Sequence, residues 1–437
     1  MARTRWGTVA DLAVVAGAVA LVVAAAVQGN RLKAAGVDLF LGFPPLLAGY
    51  APHVGPGTPV AVAVAVLVVV RGPELAARLG WRPLLLLGYA ASVTWTLSLA
   101  LVDGWRRGVV GRLSSDQEYL WDVPRVTDIP LMLRTFSDFI LPAPDMWVTH
   151  VGAHPPGVFL FYVWLDRIGL GGGGPSGVVT VLVGASACVA VAVALRALGA
   201  ETVARAALPF GVLFPGAVWV GVSADGLFAG VLAWGVALLA IGATRCGPRA
   251  DAAAFAGGVL LGVCLYLSYG LVLGGLVPLA VLGATRRWRA VGWSAAGVFA
   301  VAGAFTLSGF WWFTGFERVQ VIYALSIAQY RPYEYFVWAN LAALAFALGP
   351  AVIAGMRRSV GAPRALPGAV LLLVAAGAAA IVLADLSGLS KAEVERIWLP
   401  FGIWLVATCA LLPRPRPWLA AQAVLALGVN HLLFTIW

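Results

Sequence analysis

The stretch Ser115-Asp116-Gln117-Glu118-Tyr119-Leu120-Trp121-Asp122 puts three carboxylates within seven residues. If this piece is helical, Glu118 and Asp122 share one face at i,i+4. Two carboxylates held so close repel each other, and one of them keeps its proton to higher pH. A carboxyl group so tuned suits a general base or a metal ligand. The plainer alternative is a solvated loop with capping acids. Asp103 is differently placed, at the end of an apolar run where hydrocarbon would give way to water. There it is either a carboxylate within reach of a hydroxyl beside a lipid headgroup or an ordinary helix terminus.

Two imidazoles follow in His150-Val-Gly-Ala-His154-Pro-Pro-Gly, again at i,i+4. Together with a carboxylate they could ligate a divalent ion such as Mg or Mn, or bind phosphate when protonated. Asp225, in Ser223-Ala-Asp225-Gly, joins two apolar runs. An ionisable group at that depth is a functional candidate by default, against the alternative that it caps the next helix. The segment 311–336 carries Trp311, Trp312, Tyr330, Arg331, Tyr333, Glu334 and Tyr335. These aromatics suit a membrane interface and could also stack on sugar faces. Near the end, Lys391, Glu393, Glu395 and Arg396 crowd together before another apolar run. Basic groups there can hold a phosphate through charge-assisted hydrogen bonds, or simply snorkel or pair internally, as Lys391 with Glu395.

These residues must be positioned by helices in lipid. Of 437 residues, 61% are hydrophobic and 11% charged, against roughly 45–50% and 25% in soluble domains. Runs such as 9–27 and 84–102 are long enough to cross a bilayer as helices. The dyadic segments of a transmembrane barrel do not look like this. The pattern predicts one all-α, polytopic bundle over 1–437, with thirteen spans: 8–28, 58–71, 83–103, 177–195, 204–221, 226–244, 252–269, 271–284, 290–310, 337–355, 367–384, 396–413 and 418–436. Cys188, Cys246, Cys264 and Cys409 form no CxxC pair, so no disulfide framework or zinc cluster is indicated. The arginine bias, with two lysines in the chain, fits a GC-rich bacterial genome. No basic tail or stripe speaks for nucleic acid, and no Walker A or dinucleotide fingerprint speaks for a nucleotide-driven pump.

Short cytoplasmic loops carry excess Arg and Lys. With the N-terminus inside, the inner loops hold 17 basic residues, Arg3 and Arg5 among them, against four acids, Asp11, Glu74, Glu201 and Asp251. The outside then holds 12 basic residues and 15 acids. Reading 154–165 as a span would invert this balance for the loops at Arg245 and Arg287. It is therefore expected to be an interfacial or shallowly dipping helix whose first turn takes Pro155 and Pro156. The long segments 29–57, 104–176, 311–336 and 385–395 all fall outside. The chain is thus expected in a bacterial inner membrane with its working face extracytoplasmic, and 104–176 as an ordered loop bearing interfacial helices.

This layout resembles the GT-C superfamily of membrane glycosyltransferases, which includes protein O-mannosyltransferases and the aminoarabinose transferase of lipid A. The likeness rests on the acidic first outer loop, the His154-Pro155-Pro156 turn and the Ser223-Ala-Asp225 turn before a helix. It implies a dozen or so helices and a polyprenyl-phosphate sugar donor, with mannosyl or arabinosyl transfer as examples. It also implies an acceptor hydroxyl on an envelope glycan, lipid or protein, and usually inversion at the anomeric carbon. Two extra spans and the loop Tyr50-Ala-Pro-His53-Val-Gly-Pro-Gly57 precede the acidic loop, and no Asp-Glu pair follows the first helix. The catalytic acid therefore stays open among Asp103, Asp116, Glu118 and Asp122. Phosphate and substrate contacts would fall to His150, His154, Asp225, Arg331, Tyr333, Lys391, Glu395 and Arg396. The stretch from Ser390 to Trp398 also resembles one found in actinobacterial integral membrane proteins. A secondary transporter or lipid-linked-substrate flippase, and a non-enzymatic scaffold, are the rival classes. Largely uncharged spans without a repeat argue against transport.

Overall fold

The computed structural model describes residues 2–436, with side chains from residue 7 onward; the side chains of Arg3 and Arg5 lie outside the described residues. It is an all-helical bundle. Among the described residues nine helices are long and apolar enough to cross a membrane: Gly7–Ala34, Thr58–Arg78, Trp81–Asp103, Gly173–Ala197, Ala224–Thr244, Pro248–Leu267, Trp288–Leu307, Tyr333–Gly361 and Gly368–Leu386. Nine of the expected spans coincide with these. In lipid every backbone polar group must be satisfied within the chain, which is why such runs become helices.

The other four expected spans take shorter or mixed forms. The 204–221 run stops as a helix at Val212, because Pro215 follows, and resumes only over Ala217–Val220. The 271–284 run divides into a 3-10 stretch, Tyr269–Gly275, and the helix Leu276–Thr285. The 396–413 run is built from Val394–Ile397, Leu399–Gly402 and a long 3-10 stretch, Ile403–Leu411. The 418–436 run leaves the helix at Leu432, and Leu433–Thr435 pairs antiparallel with Ala48–Tyr50. This small sheet ties the early polar loop to the C-terminal segment.

Small residues let the helices approach closely. A Cβ on Gly258 would sit 2.1 Å from the Ser294 carbonyl oxygen, so helices Pro248–Leu267 and Trp288–Leu307 pack backbone to backbone there. The helix Tyr333–Gly361 is broken at Gly349, whose φ of 74° is left-handed. Gln422, fully buried, spans the break: its Nε2 donates to Leu348 O at 2.9 Å and its Oε1 accepts from Ala351 N at 3.2 Å.

One end of the bundle gathers the arginine-rich loops. Asp11, fully buried, is held by Arg357 and Arg358. Glu74 is held by Arg416, Glu201 by Arg196 and Arg205, and Asp251 by Arg289. The opposite end carries the long polar segments. There 104–176 is ordered by aromatic packing: Trp147 stacks on Phe136 and contacts Phe139 and Phe159, and its Nε1 donates to Phe136 O at 2.9 Å. The helix Pro156–Arg167 starts on Pro156, with Pro155 as its N-cap residue. Its 12 residues are too few to cross a bilayer. Its buried face, with Phe159 and Tyr162, turns into the bundle. The segment 311–336, expected as a loop, holds a further helix, Trp312–Leu325.

Candidate functional site

Four chain segments, each singled out by its residue types, converge at this end. Ser223 caps the helix Ala224–Thr244, its Oγ accepting from Gly226 N at 3.3 Å. That frees Asp225 from the capping role weighed for it. Asp225 instead accepts a hydrogen bond from Arg396 Nη1. Arg396 Nη2 donates to Glu393 Oε2 at 2.6 Å and lies 3.4 Å from His150 Nε2. His150 Nδ1 lies 2.9 Å from the Gln117 carbonyl oxygen and 3.4 Å from Glu118 Oε1. A carbonyl oxygen only accepts, so Nδ1 carries the hydrogen and the Nε2 lone pair faces the guanidinium.

Burial governs the electrostatics. It pushes the Glu118 carboxyl up to about 8, with the charges of Asp225 and Glu393 adding to it and Arg396 opposing. The expected partner in this effect, Asp122, takes no part. The helix spans only Tyr119–Asp122, and Glu118 stands before it in extended conformation rather than one turn away on the same face. Burial, then the Arg396 charge, lowers His150 to about 4, so its imidazole is neutral at physiological pH. The site therefore combines a carboxyl that titrates near neutrality, a neutral imidazole and a guanidinium between carboxylates. Perturbed groups of this kind mark functional sites.

Neighbouring residues complete it. His154 Nδ1 lies 2.8 Å from His150 O and 3.2 Å from the Tyr119 hydroxyl. Arg331, buried, donates from Nε to Leu39 O at 3.1 Å and from Nη1 to Lys391 O at 2.7 Å; Nη1 is 3.7 Å from Glu393 Oε1. Glu395 is buried with its Oε2 lacking a hydrogen-bond partner, and burial raises its carboxyl to about 8. Lys391 does not pair with Glu395: its Nζ donates to Ala328 O at 3.0 Å. Tyr333 is exposed and donates to Leu386 O at 3.2 Å.

Three of the candidate acids stand apart. Asp103 accepts from Arg112 Nη2 at 2.5 Å and pairs with His53 Nε2 at 2.8 Å, while Arg112 Nη1 reaches Thr435 O. It is a structural knot tying the third long helix to the small sheet. Asp122 is buried and accepts from Arg125 Nη1 and from Val148 N, each at 2.9 Å, bracing the acidic loop against the histidine segment. Asp116 is exposed. Both nitrogens of His150 are engaged, Nδ1 with Gln117 O and Nε2 beside the Arg396 guanidinium. Among the described residues no three His, Cys, Asp or Glu side chains gather to hold a metal ion. Two small cavities lie elsewhere, among mostly apolar side chains around Cys188, Gly211 and Ile403.

Sequence reasoning left Glu393 without a role, although it precedes Arg396 by three residues, a spacing that brings side chains together on one helical turn. Gln117 and Tyr119 were also missed, and no local signal marks them. The chain matches no protein-family model, no curated protein and no solved structure with which it was compared.

Proposed function

We propose that this chain is a membrane glycosyltransferase of the GT-C type, moving a hexose or pentose from a polyprenyl-phosphate donor to a hydroxyl of an envelope glycan, lipid or protein. The observation that carries the reading is the meeting of Glu118, His150, Asp225 and Arg396 in one buried cluster. They come from the acidic loop, the His-Pro-Pro segment, the Asp turn and the basic segment near the end. The bundle sits in a bacterial inner membrane. Its thirteen apolar segments cross or enter the bilayer with the N-terminus cytoplasmic, and the cluster lies on the extracytoplasmic side. The arginine distribution supports this orientation, as does the gathering of Asp11, Glu74, Glu201 and Asp251 with arginines at the other end.

In this reading Glu118 is the general base. Its carboxylate takes the proton of the acceptor hydroxyl as the hydroxyl oxygen bonds to the anomeric carbon. The bond from that carbon to the phosphate oxygen breaks, and the polyprenyl phosphate leaves as an anion. Arg396 and Arg331 offset the charge growing on that phosphate. A donor with its tail in lipid and its head among these loops needs no soluble carrier. His150 holds the base in place, and Asp122 keeps the acidic loop against it.

The test is transfer of radiolabelled sugar from a polyprenyl-phosphate donor in membranes expressing wild type or Glu118→Gln at equal levels. Wild type should label envelope material and the variant should not; equal labelling would sink the assignment. A transporter or flippase reading has one observation in its favour, the helix break at Gly349, since broken helices mark transport sites. Gln422 satisfies the backbone groups on both sides of that break. Uptake into proteoliposomes without glycan product would favour this second reading.

A further inference from the structure

Glu393 bridges two buried guanidiniums. Its Oε2 accepts from Arg396 at 2.6 Å and its Oε1 lies 3.7 Å from Arg331 Nη1. Arg331 and Arg396 are 5% and 7% exposed, so neither has bulk water as an alternative partner. Arg331 Nη2 is buried with no hydrogen-bond partner. A buried guanidinium nitrogen left unsatisfied calls for an explanation, and a guanidinium pairs best with a planar or tetrahedral oxyanion through two nitrogens. The Glu393 carboxylate fills only part of what this pair of cations can hold.

The backbone that delivers Glu393 is strained. Ala392 and Glu393 are consecutive non-glycine residues at φ 72° and 61°, a left-handed conformation in which Cβ crowds the following carbonyl oxygen. Asn340 holds it: its Oδ1 accepts from Ala392 N at 3.1 Å, and its Nδ2 donates to Ser390 O at 2.8 Å and to Asp385 Oδ1 at 2.9 Å. Such strain persists where the surroundings enforce it and often marks a segment that moves in function.

We propose that Glu393 is a built-in stand-in for a phosphate group, occupying the Arg331–Arg396 clamp until a phosphate-bearing ligand takes its place. This deepens the glycosyltransferase reading and rests on it for the source of the phosphate. Exchange breaks no covalent bond. The carboxylate swings out, relaxing its left-handed backbone. The ligand's oxygens take up the bonds it leaves, together with the unused Arg331 Nη2. The clamp then selects for an oxyanion, because a neutral prenol cannot repay the loss of Glu393.

The experiment is a binding titration on the purified full chain in nanodiscs, with three probes: inorganic phosphate, a short-chain polyprenyl phosphate and the matching neutral polyprenol. Glu393→Gln keeps the shape and removes the competing charge. It should tighten phosphate binding by about tenfold, the size of a single charge-assisted bond. Arg331→Gln should weaken binding by a similar factor and cancel the gain when combined with Glu393→Gln. A gain for the polyprenyl phosphate alone identifies a lipid headgroup as the ligand; a gain for both phosphates identifies the phosphate group itself. Unchanged or weaker binding of both phosphates in Glu393→Gln overturns the proposal, as does an equal gain for the neutral polyprenol. If that variant does not fold, Glu393→Asp shortens the arm while keeping the charge and should give a gain in the same direction. No sugar transfer is needed for the readout. A negative result here with intact transfer therefore removes the stand-in and leaves the enzyme, whereas binding without transfer does the reverse.

Discussion

Arg396 and Asp225, 171 positions apart in the chain, share a hydrogen bond in which both side chains are more than nine-tenths buried. Glu393 is the second acceptor of the same guanidinium. This pair joins the start of the helix Ala224–Thr244 to the segment before Leu399, and so fixes where the rest of the cluster can sit. Removing one partner of a buried pair leaves an uncompensated charge and costs about 3–5 kcal/mol, whereas replacing both with apolar groups is often nearly neutral. Asp225→Ala should therefore unfold in detergent well before wild type. The double variant Asp225→Leu/Arg396→Met should recover part of that loss while remaining inactive. Thermal unfolding and sugar transfer, measured on the same preparations, check both halves.

The pH dependence of transfer should report Glu118. A base must be ionised to accept a proton, and burial keeps this carboxyl protonated up to about 8. Transfer should climb from pH 6 and approach a plateau above pH 8, the deprotonated fraction growing about tenfold per unit on the acid side. His150, already neutral above about 4, adds no inflection in this range. A profile that is flat or falls between pH 6 and 8 would count against Glu118 as the base.

Asp122→Asn separates support from chemistry. Its carboxylate braces Arg125 and the Val148 amide. The amide can keep one of these contacts but not the charge, and the variant should lose about 1–3 kcal/mol of stability. Transfer should persist at temperatures where the variant is folded. Complete loss of transfer in a fully folded Asp122→Asn protein would return Asp122 to the list of bases.

Glu395 should make the protein less stable as pH rises. Its carboxyl has an ordinary value of 4.5 when unfolded and about 8 when folded, because burial disfavours the charge. Folding takes up a proton between those two values, so stability is lost as pH climbs from 4.5 towards 8. Glu395→Gln removes that slope. It should stabilise the protein by about 3 kcal/mol at pH 7 and by little at pH 4. Unfolding midpoints across pH 4–8 test this; the same slope in both proteins would refute it.

The break at Gly349 depends on Gln422. A Cβ on Gly349 would sit 2.0 Å from Gln422 Oε1 and would oppose a φ of 74°. Gly349→Ala should be severely destabilising. Gln422→Ala strands the Leu348 carbonyl and the Ala351 amide, at about 1–3 kcal/mol for each buried orphan. Both effects are read as lowered unfolding temperature in nanodiscs.

What could be read along the chain was whatever depends on near neighbours in sequence. Apolar runs such as 84–102 and 226–244 determined that helices form in lipid, since each run satisfies its own backbone. Pro155 and Pro156 marked the start of a short helix, and the acidic loop, the histidine pair, Asp225 and Arg396 were visible as unusual residue types in unusual places. Tertiary structure alone decided which of these meet. It gave Ser223 the cap and freed Asp225 for Arg396. It withdrew Asp103 into a knot with His53 and Arg112, turned Asp122 into a brace, and put Glu393 between two arginines. It also ended the final helix at Leu432, because Leu433–Thr435 found a strand partner at Ala48–Tyr50. The physical reason is the same throughout. A helix closes its hydrogen bonds within a few residues, whereas a buried charge must find its counter-charge wherever the folded chain brings one. For a pair as distant as Arg396 and Asp225, no spacing along the sequence records the partner.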